Sequence, residues 1–284
     1  MLYAARMRAP AIAALFIALI SQAGPLSDEM IRRIADGYLA GTRLPPLDPE
    51  VSMPEALRVQ AKLVDLLKSR LGPVAGYKIG LITQEAQARN NTDAPVRGVL
   101  LQAMLYSDNA ELAASSGAQL TLEVDMGVFV KDEGVNDATT LAEVVTHLSD
   151  LVCFIELTDS FAAPRQPMNA ALLTALNVYA RAGIIGQRRP LTPALVDAIP
   201  RMRMVLLDDA GTVIFDVPSL NVQPLANIAW LVAELKKAGT PLKEGDFISL
   251  GSPAPMQPVV AGRRVTLRYE GLPGGPMTST VKIR

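Results

Sequence analysis

The sequence predicts an α+β fold in which a small helical N-terminal part precedes a region built mostly of β-strands. Residues 26–71 place apolar side chains at helical spacing, interrupted by a loop at 42–54 that contains four prolines. After residue 76, short apolar runs alternate with turn-forming residues, which is typical of strands and tight turns. At 284 residues, half of them hydrophobic, the chain can bury a sizeable core in one large domain or in a small and a larger one.

Composition excludes several classes of function. The formal net charge is −1 and no block of like charges occurs, so the chain lacks the basic footprint of a nucleic-acid binder. The single cysteine, Cys153, rules out an internal disulfide framework and is interpreted as a small core residue rather than a nucleophile. The single histidine, His147, falls in a helix predicted over 140–150. Acid–base chemistry therefore falls to lysine, aspartate, glutamate, tyrosine or water.

The first 23 residues are typical of a cleavable export signal. Two arginines precede an apolar run at 9–20, and small residues allow cleavage after Ala23. The run of about 12 residues is shorter than the roughly 18–20 that span a membrane, so no span is expected after cleavage. The alternatives are an uncleaved anchor or a true start at Met7. We predict an exported, periplasmic protein, or a cytoplasmic one if the start is misassigned.

Three parts of the chain follow from these patterns. They are the signal peptide at 1–23, a helical N-terminal cap at 24–72 and a strand-rich region at 73–284, in which the candidate catalytic residues described below lie. No internal repeat or low-complexity segment is visible.

The segment 120–130 has the pattern of a buried strand that carries two acids. Glu123 and Asp125 are two residues apart and therefore share one face of the strand. A third acid, Glu156, lies in another apolar run. Buried carboxylates without a nearby cation in sequence suit Mg²⁺ or Mn²⁺, which prefer oxygen ligands. The alternatives are a solvated edge strand for the first two acids and an arginine partner for the third.

A lysine lies in the middle of a short predicted strand at 76–81. Lys78 is flanked by glycines, which allow a ligand or another backbone segment to approach closely. The lysine is either a solvated strand residue or a positive group that faces an anionic substrate and moves protons.

Several motifs, in this order, resemble those of 2-oxopent-4-enoate hydratases and 4-oxalocrotonate decarboxylases, which are members of the fumarylacetoacetate hydrolase superfamily. The resemblance extends from about residue 54 to the end of the chain. The segments that carry it are 76–81 (GYKIGL), 92–98 (TDAPVRG), 106–109 (YSDN), 123–125 (EVD), 155–160 (IELTDS), 224–231 (PLANIAWL), 239–248 (GTPLKEGDFI) and 251–256 (GSPAPM).

This resemblance implies a mixed β-roll with flanking helices and a homo-oligomeric assembly. It implies that Glu123, Asp125 and Glu156 hold Mg²⁺ or Mn²⁺, which binds the carboxylate and 2-oxo oxygens of a short 2-oxo acid. It also implies that Lys78 transfers protons or orients the substrate. In the hydratases, 2-hydroxypenta-2,4-dienoate is ketonised and then hydrated at C4 to 4-hydroxy-2-oxopentanoate.

The sequence departs from the family pattern at several polar positions. By position, Asn177, Gln223 and Leu250 are the expected substrate-binding residues, and only Asn177 keeps the family residue. The family's second acid is the shorter Asp125 here. Apolar or altered residues replace further polar groups of the family, namely Val96 for an aspartate, Leu176 for an aspartate, Thr121 for an arginine, Gln223 for a histidine and Leu250 for a threonine.

Three functions remain open from the sequence. The first is a hydratase-like lyase that acts on a small-molecule 2-oxo acid, and this is our prediction. The second is a decarboxylase or C–C hydrolase on the same metal platform, which needs fewer side-chain acids. The third is a non-catalytic, exported protein that binds a 2-oxo acid.

Overall fold

A computed structural model describes residues 26–48 and 50–284 of the chain. The predicted signal peptide at 1–23 lies outside the described residues. Within the described ranges, no helix is long and apolar enough to cross a membrane. The helices are α1 Asp28–Ala40, α2 Met53–Leu71, α3 Gln84–Arg89, α4 Leu141–Thr146, α5 Ala170–Ala175, α6 Pro193–Ala198 and α7 Asn227–Lys237.

Local capping fixes both helices of the N-terminal part. The Ser27 hydroxyl accepts a hydrogen bond from the Met30 N–H at the start of α1, and Gly41 ends the helix in the left-handed conformation. At α2, Ser52 is the N-cap and Pro54 occupies the first turn, where a missing N–H is tolerated. The two predicted helices and the proline-rich loop between them are therefore confirmed.

Strands are the main regular structure after α2 and form two mixed sheets. The strands in the described part are β1 Val74–Gly80, β2 Val96–Leu101, β3 Leu105–Ser107, β4 Ala110–Leu112, β5 Leu120–Val130, β6 Leu148–Asp159, β7 Ala180–Pro190, β8 Arg203–Asp208, β9 Val213–Val217, β10 Phe247–Ser249, β11 Gln257–Pro258, β12 Arg264–Glu270 and β13 Met277–Ile283.

The larger sheet has eight strands, in the order β2-β1-β10-β5-β6-β7-β3, with β11 paired to β5. The pairs β1–β10 and β3–β7 are parallel, and the long central pair β5–β6 is antiparallel. The smaller sheet has the order β4-β13-β12-β8-β9. The prediction of a mixed β-roll with flanking helices is confirmed.

The two sheets are joined through buried side chains. The Tyr269 hydroxyl on β12 donates to the carbonyl oxygen of Asp125 on β5. The Ser279 hydroxyl on β13 donates to the carbonyl oxygen of Ile184 on β7, 3.3 Å away. These contacts fix the position of the β5 segment that carries the predicted metal ligands.

The helical N-terminal part shares its core with the sheets. Ile31, Ile34 and Tyr38 of α1 belong to the same buried cluster as the strands. The Tyr38 hydroxyl donates to the Ala180 carbonyl oxygen, and Arg181 donates back to the Tyr38 carbonyl oxygen. The helices that the sequence predicted as a cap are therefore packed onto the roll as part of it.

Of three further local predictions, one was wrong and two were confirmed. Helix α4 ends at Thr146, so the prediction that a helix extends to residue 150 was wrong. His147 follows the helix, and β6 begins at the next residue because the apolar run 151–157 pairs in the sheet. Cys153 is fully buried, which confirms it as a core residue. The hairpin predicted over 201–217 is confirmed as β8 and β9.

Candidate active site

The three predicted metal ligands lie on neighbouring strands at the centre of the larger sheet. In the antiparallel β5–β6 pair, Glu123 is directly opposite Glu156. Asp125 lies two residues further along β5. Like charges placed opposite each other are unfavourable, so an arrangement of this kind requires a compensating cation. We call Lys78, Glu123, Asp125 and Glu156 the carboxylate–lysine cluster.

Lys78 supplies positive charge to this cluster. Its Nζ lies 2.6 Å from Oε1 of Glu156, and the two side chains are only 3% and 1% exposed. The alternative of a solvated strand lysine is therefore excluded, and so is an arginine partner for Glu156. The second carboxylate oxygen of Glu156, Oε2, is buried and has no hydrogen-bond partner among the described residues. Such an oxygen retains capacity to bind a cation or a proton donor.

Both carboxylate oxygens of Asp125 accept hydrogen bonds from nearby groups. Its side chain is fully buried, and its Oδ1 accepts from the Met126 N–H at 2.6 Å. Its Oδ2 accepts from the hydroxyl of Ser249 on β10. In the described part of the chain, no three His, Cys, Asp or Glu side chains converge closely enough to hold a metal ion. The three acids must therefore come closer together before all of them can bind one metal ion.

The electrostatics of the cluster favour an added cation. Burial lowers the pKa of Lys78, but the charges of Glu156, Glu123 and Asp125 outweigh burial and raise this pKa above its ordinary value. Burial raises the pKa of Glu123, Lys78 opposes the rise and Glu156 adds to it. Burial and the charge of Glu156 also raise the pKa of Asp125 well above its ordinary value. One ammonium thus compensates three carboxylates incompletely, and this oxygen-only donor set fits Mg²⁺ or Mn²⁺.

A cavity of about 640 Å³ lies against the cluster, and Lys78 and Glu123 both line it. This volume is in the range of small-molecule sites. The other charged side chains of the lining are Arg43 and Arg165. Further lining residues come from loops and strand ends, namely Gly80, Leu81, Asn90, Gln119, Thr158, Ser160, Tyr179, Gly251, Ser252 and Met256.

Arg43 is a cavity residue that the sequence interpretation missed. It lies in the proline-rich loop after α1, and its guanidinium donates to the Ala162 carbonyl oxygen at 3.1 Å and to Oε1 of Gln119. The loop from the helical part is thereby fixed to the segment that follows β6. The loop's sequence offers no periodic pattern that would have indicated this contact, because it depends on the tertiary packing.

One of the altered family positions, Val96, belongs to an apolar wall beside the cavity. Val96, which replaces the family's aspartate, packs with Val178 and the partly buried Leu81 and Leu173. A methyl group added at Gly80 would contact both valines, at 2.9 and 3.4 Å. The backbone of Val178 is left-handed, with φ of 52°, a conformation that is costly for a β-branched residue. This wall offers no side chain that could exchange a proton.

The three predicted substrate-binding residues do not line the cavity. The Asn177 side chain accepts from the Val99 N–H at 2.8 Å and donates to the Val99 carbonyl oxygen at 2.9 Å. Gln223 donates to the Val196 carbonyl oxygen at 3.1 Å. Leu250 is fully buried. Their substrate-binding role stays a prediction, whereas the structure brings Lys78, Glu123, Asp125 and Glu156 together.

The chain is similar in sequence to known hydratases. No profile of a known protein family matches the chain. A 2-keto-4-pentenoate hydratase of Burkholderia vietnamiensis is 26% identical over 248 residues, covering 86% of this chain and 93% of the relative. A 2-hydroxyhexa-2,4-dienoate hydratase of Comamonas testosteroni is 25% identical over 247 residues, covering 85% and 92%.

Solved structures agree with the fold. The structure of 4-oxalocrotonate decarboxylase from Pseudomonas putida G7, complexed with magnesium and adipate, matches with a TM-score of 0.79 at 21% identity. The match covers 91% of this chain and 99% of that one. The resemblance to 2-oxopent-4-enoate hydratases and 4-oxalocrotonate decarboxylases that the motifs indicated is therefore confirmed.

Proposed function

We propose that the chain is a hydratase-like lyase that adds water to a short 2-hydroxydienoate or 2-oxo acid at a divalent-metal site. The observation that carries this proposal is the buried carboxylate–lysine cluster on the wall of a cavity large enough for a small organic acid. The activities named for the relatives support the same reaction class. Oxygen donors in a buried, under-compensated group support a requirement for Mg²⁺ or Mn²⁺.

The acids Glu123, Asp125 and Glu156 would hold the cation. A bound Mg²⁺ or Mn²⁺ would supply Lewis-acid stabilisation of the enolate form of a 2-oxo acid. Of the three acids, Glu123 lines the cavity, and Glu156 has one carboxylate oxygen without a hydrogen-bond partner. The carboxylate oxygens of these two residues are more available to a metal ion, whereas both oxygens of Asp125 already accept hydrogen bonds, from Met126 and Ser249.

Lys78 is the group that we assign to proton transfer. Because its pKa lies above the ordinary value, its Nζ carries a proton at neutral pH. It lines the cavity and can deliver that proton to C5 of a bound 2-hydroxydienoate, while the proton of the enol hydroxyl returns to the lysine and Glu156, 2.6 Å away, stabilises the ammonium form. Water then has access to C4 through the same cavity.

Positive charge along the cavity favours an anionic substrate. Arg43, Lys78 and Arg165 line it, and Glu123 is the single acid of the lining within the described residues. A substrate carboxylate is therefore attracted into the cavity, where two long cationic side chains lie on loops and Lys78 lies on β1.

A decarboxylase or C–C hydrolase on the same metal platform is the second candidate. The apolar wall formed by Val96 and Val178 favours it, because this wall lacks the carboxylic acid of the family pattern. Loss of carbon dioxide generates an enolate that the metal site can stabilise, and one lysine suffices to protonate it.

The test uses protein beginning at Gly24, supplied with Mg²⁺ or Mn²⁺ and 2-hydroxypenta-2,4-dienoate. Metal-dependent loss of the dienoate absorbance, with 4-hydroxy-2-oxopentanoate identified by NMR, is the expected result. In parallel, 4-oxalocrotonate is offered and carbon dioxide is measured. Release of carbon dioxide without hydration of the dienoate would replace the first candidate with the second. Turnover of neither substrate by protein that binds Mn²⁺ would contradict both.

We also propose that the protein is exported to the periplasm and assembles as a homo-oligomer. The arginine-flanked apolar run at 9–20 supports export, and the family resemblance supports assembly. Mass spectrometry of native protein should give an N-terminus at Gly24, and analytical ultracentrifugation should give a mass above that of one chain. An N-terminus upstream of Ala23, or a monomer, would contradict the respective proposal.

A further inference from the structure

A second cavity lies on the opposite side of the strand that carries Lys78. Its volume is about 550 Å³, and helices α2 and α7 and strands β1 and β2 line it. Successive side chains of a strand point to opposite faces, so Tyr77 faces this cavity while Lys78 faces the active-site cavity. We call it the back cavity.

Arg97 on β2 is an unpaired cation in the back cavity. Its Nε is buried and has no hydrogen-bond partner, and its Nη1 makes only a long contact of 3.4 Å with Oε1 of Gln60. Among the described residues, no Asp or Glu lies within ion-pair distance of it. The side chain is partly buried, and an arginine has five donors, so leaving its buried Nε without a partner is unfavourable.

The acids that line the back cavity are already neutralised. Asp65 pairs with Lys68 at 2.8 Å, and Glu234 pairs with Lys237 at 2.7 Å. Counting Arg97 and Arg58 as well, the lining carries four cations and two acids. Arg58 pairs with Glu55 at 2.5 Å, so Arg97 is the cation of this lining that has no ion pair among the described residues.

The rest of the lining is apolar or aromatic. It comprises Leu57, Ala61, Val64, Val74, Tyr77, Val99 and Ala238, with Gln60 and Thr240 as polar neighbours. A partly buried guanidinium without an acidic partner, beside the apolar part of this lining, matches a ligand that has one carboxylate on an apolar body. Inorganic phosphate would satisfy the arginine but leave the apolar surface empty.

We propose that the back cavity is a second binding site, for a small organic acid whose carboxylate pairs with Arg97. The site is separate from the active-site cavity, and Tyr77 in its lining is the chain neighbour of Lys78, a member of the carboxylate–lysine cluster. Occupancy of the back cavity would stabilise the β1–β2 pair from its outer face.

The test measures thermal unfolding of the full folded protein with benzoate as the probe. At about ten times its dissociation constant, benzoate should raise the Tm of the wild type by about 2–5 °C. Benzyl alcohol, which has the same body without the charge, should give no rise. Arg97→Met should abolish the benzoate effect, and the matched control Arg89→Met, at an exposed arginine on α3, should retain it.

The unliganded proteins give an independent result. Because the cation has no acidic partner, Arg97→Met without benzoate should unfold at the same temperature as the wild type or higher. A benzoate effect that survives Arg97→Met, or an equal effect of phosphate at matched ionic strength, would overturn the proposal. So would a large drop in the Tm of the unliganded variant, or a change in its oligomeric mass, since the arginine would then serve the fold or a subunit contact.

Discussion

The ion pair between Lys78 and Glu156 joins strands that are not neighbours in the sheet. Lys78 lies on β1 and Glu156 on β6, with β10 and β5 between them. In a flat sheet these strands would be roughly 14 Å apart, at about 4.8 Å per strand. The observed distance of 2.6 Å between Nζ and Oε1 shows that the sheet curls and that both side chains extend into its concave side.

Replacing Lys78 with methionine tests its role directly. The variant leaves three carboxylates without their ammonium, so metal-free protein should lose about 3–5 kcal/mol of unfolding free energy. Turnover should fall at least about 100-fold if the lysine transfers protons. Denaturant unfolding with and without Mn²⁺ measures the first effect, and Mn²⁺ should restore part of the loss. Lys282→Met, at an exposed pair with Glu111, is the control, and equal losses in both variants would contradict the assignment.

Glu123→Gln tests the metal site. The amide keeps the size of the side chain but removes a charged ligand, so binding of Mn²⁺ and metal-dependent turnover should be lost while the fold is retained. Isothermal titration with Mn²⁺ gives the affinity, and circular dichroism gives the fold. Glu244→Gln, in an exposed loop, should bind Mn²⁺ as the wild type does. Unchanged Mn²⁺ affinity in the first variant would show that the ligands are misassigned.

Ser249→Ala distinguishes whether Asp125 joins the metal site. Without metal, the variant leaves Oδ2 of Asp125 buried without its hydroxyl donor, which should cost about 1–3 kcal/mol of unfolding free energy. If Asp125 binds the metal, saturating Mn²⁺ should shrink this cost, because the carboxylate then no longer depends on the hydroxyl. Urea unfolding at zero and saturating Mn²⁺ measures both values. An identical cost under both conditions would place Asp125 outside the metal site.

Gly76 should be indispensable for the position of β1. A Cβ at this residue would lie 1.9 Å from the carbonyl oxygen of Phe247 on β10, so Gly76→Ala must separate the strands that carry Lys78 and Ser249. We expect a loss of more than about 3 kcal/mol, measured by chemical denaturation. Gly239→Ala has a positive φ but open space around it and should lose only about 1–2 kcal/mol. Similar losses in the two variants would show that the strand contact tolerates separation.

Much of the site was predictable because its residues lie in regular strands. Side chains alternate along a strand, so the spacing of Glu123 and Asp125 placed them on one face. The apolar run around Glu156 and the glycines that flank Lys78 indicated these two residues, and the family motifs then assigned them roles. The sequence could not indicate that Ser249 engages Asp125 or that Arg43 closes the cavity, since both contacts join distant segments. The extent of α4 was overestimated because an apolar run after His147 suits a helix or a buried strand equally well.

The contacts between Tyr38 on α1 and residues 180–181 at the start of β7 bear on how a ligand enters. These contacts and a shared core hold α1 against the sheet. A movement of α1 away from the sheet would expose buried apolar side chains of both elements to water, which is unfavourable. A ligand is therefore expected to enter and leave between the short loops that line the cavity, without displacement of α1.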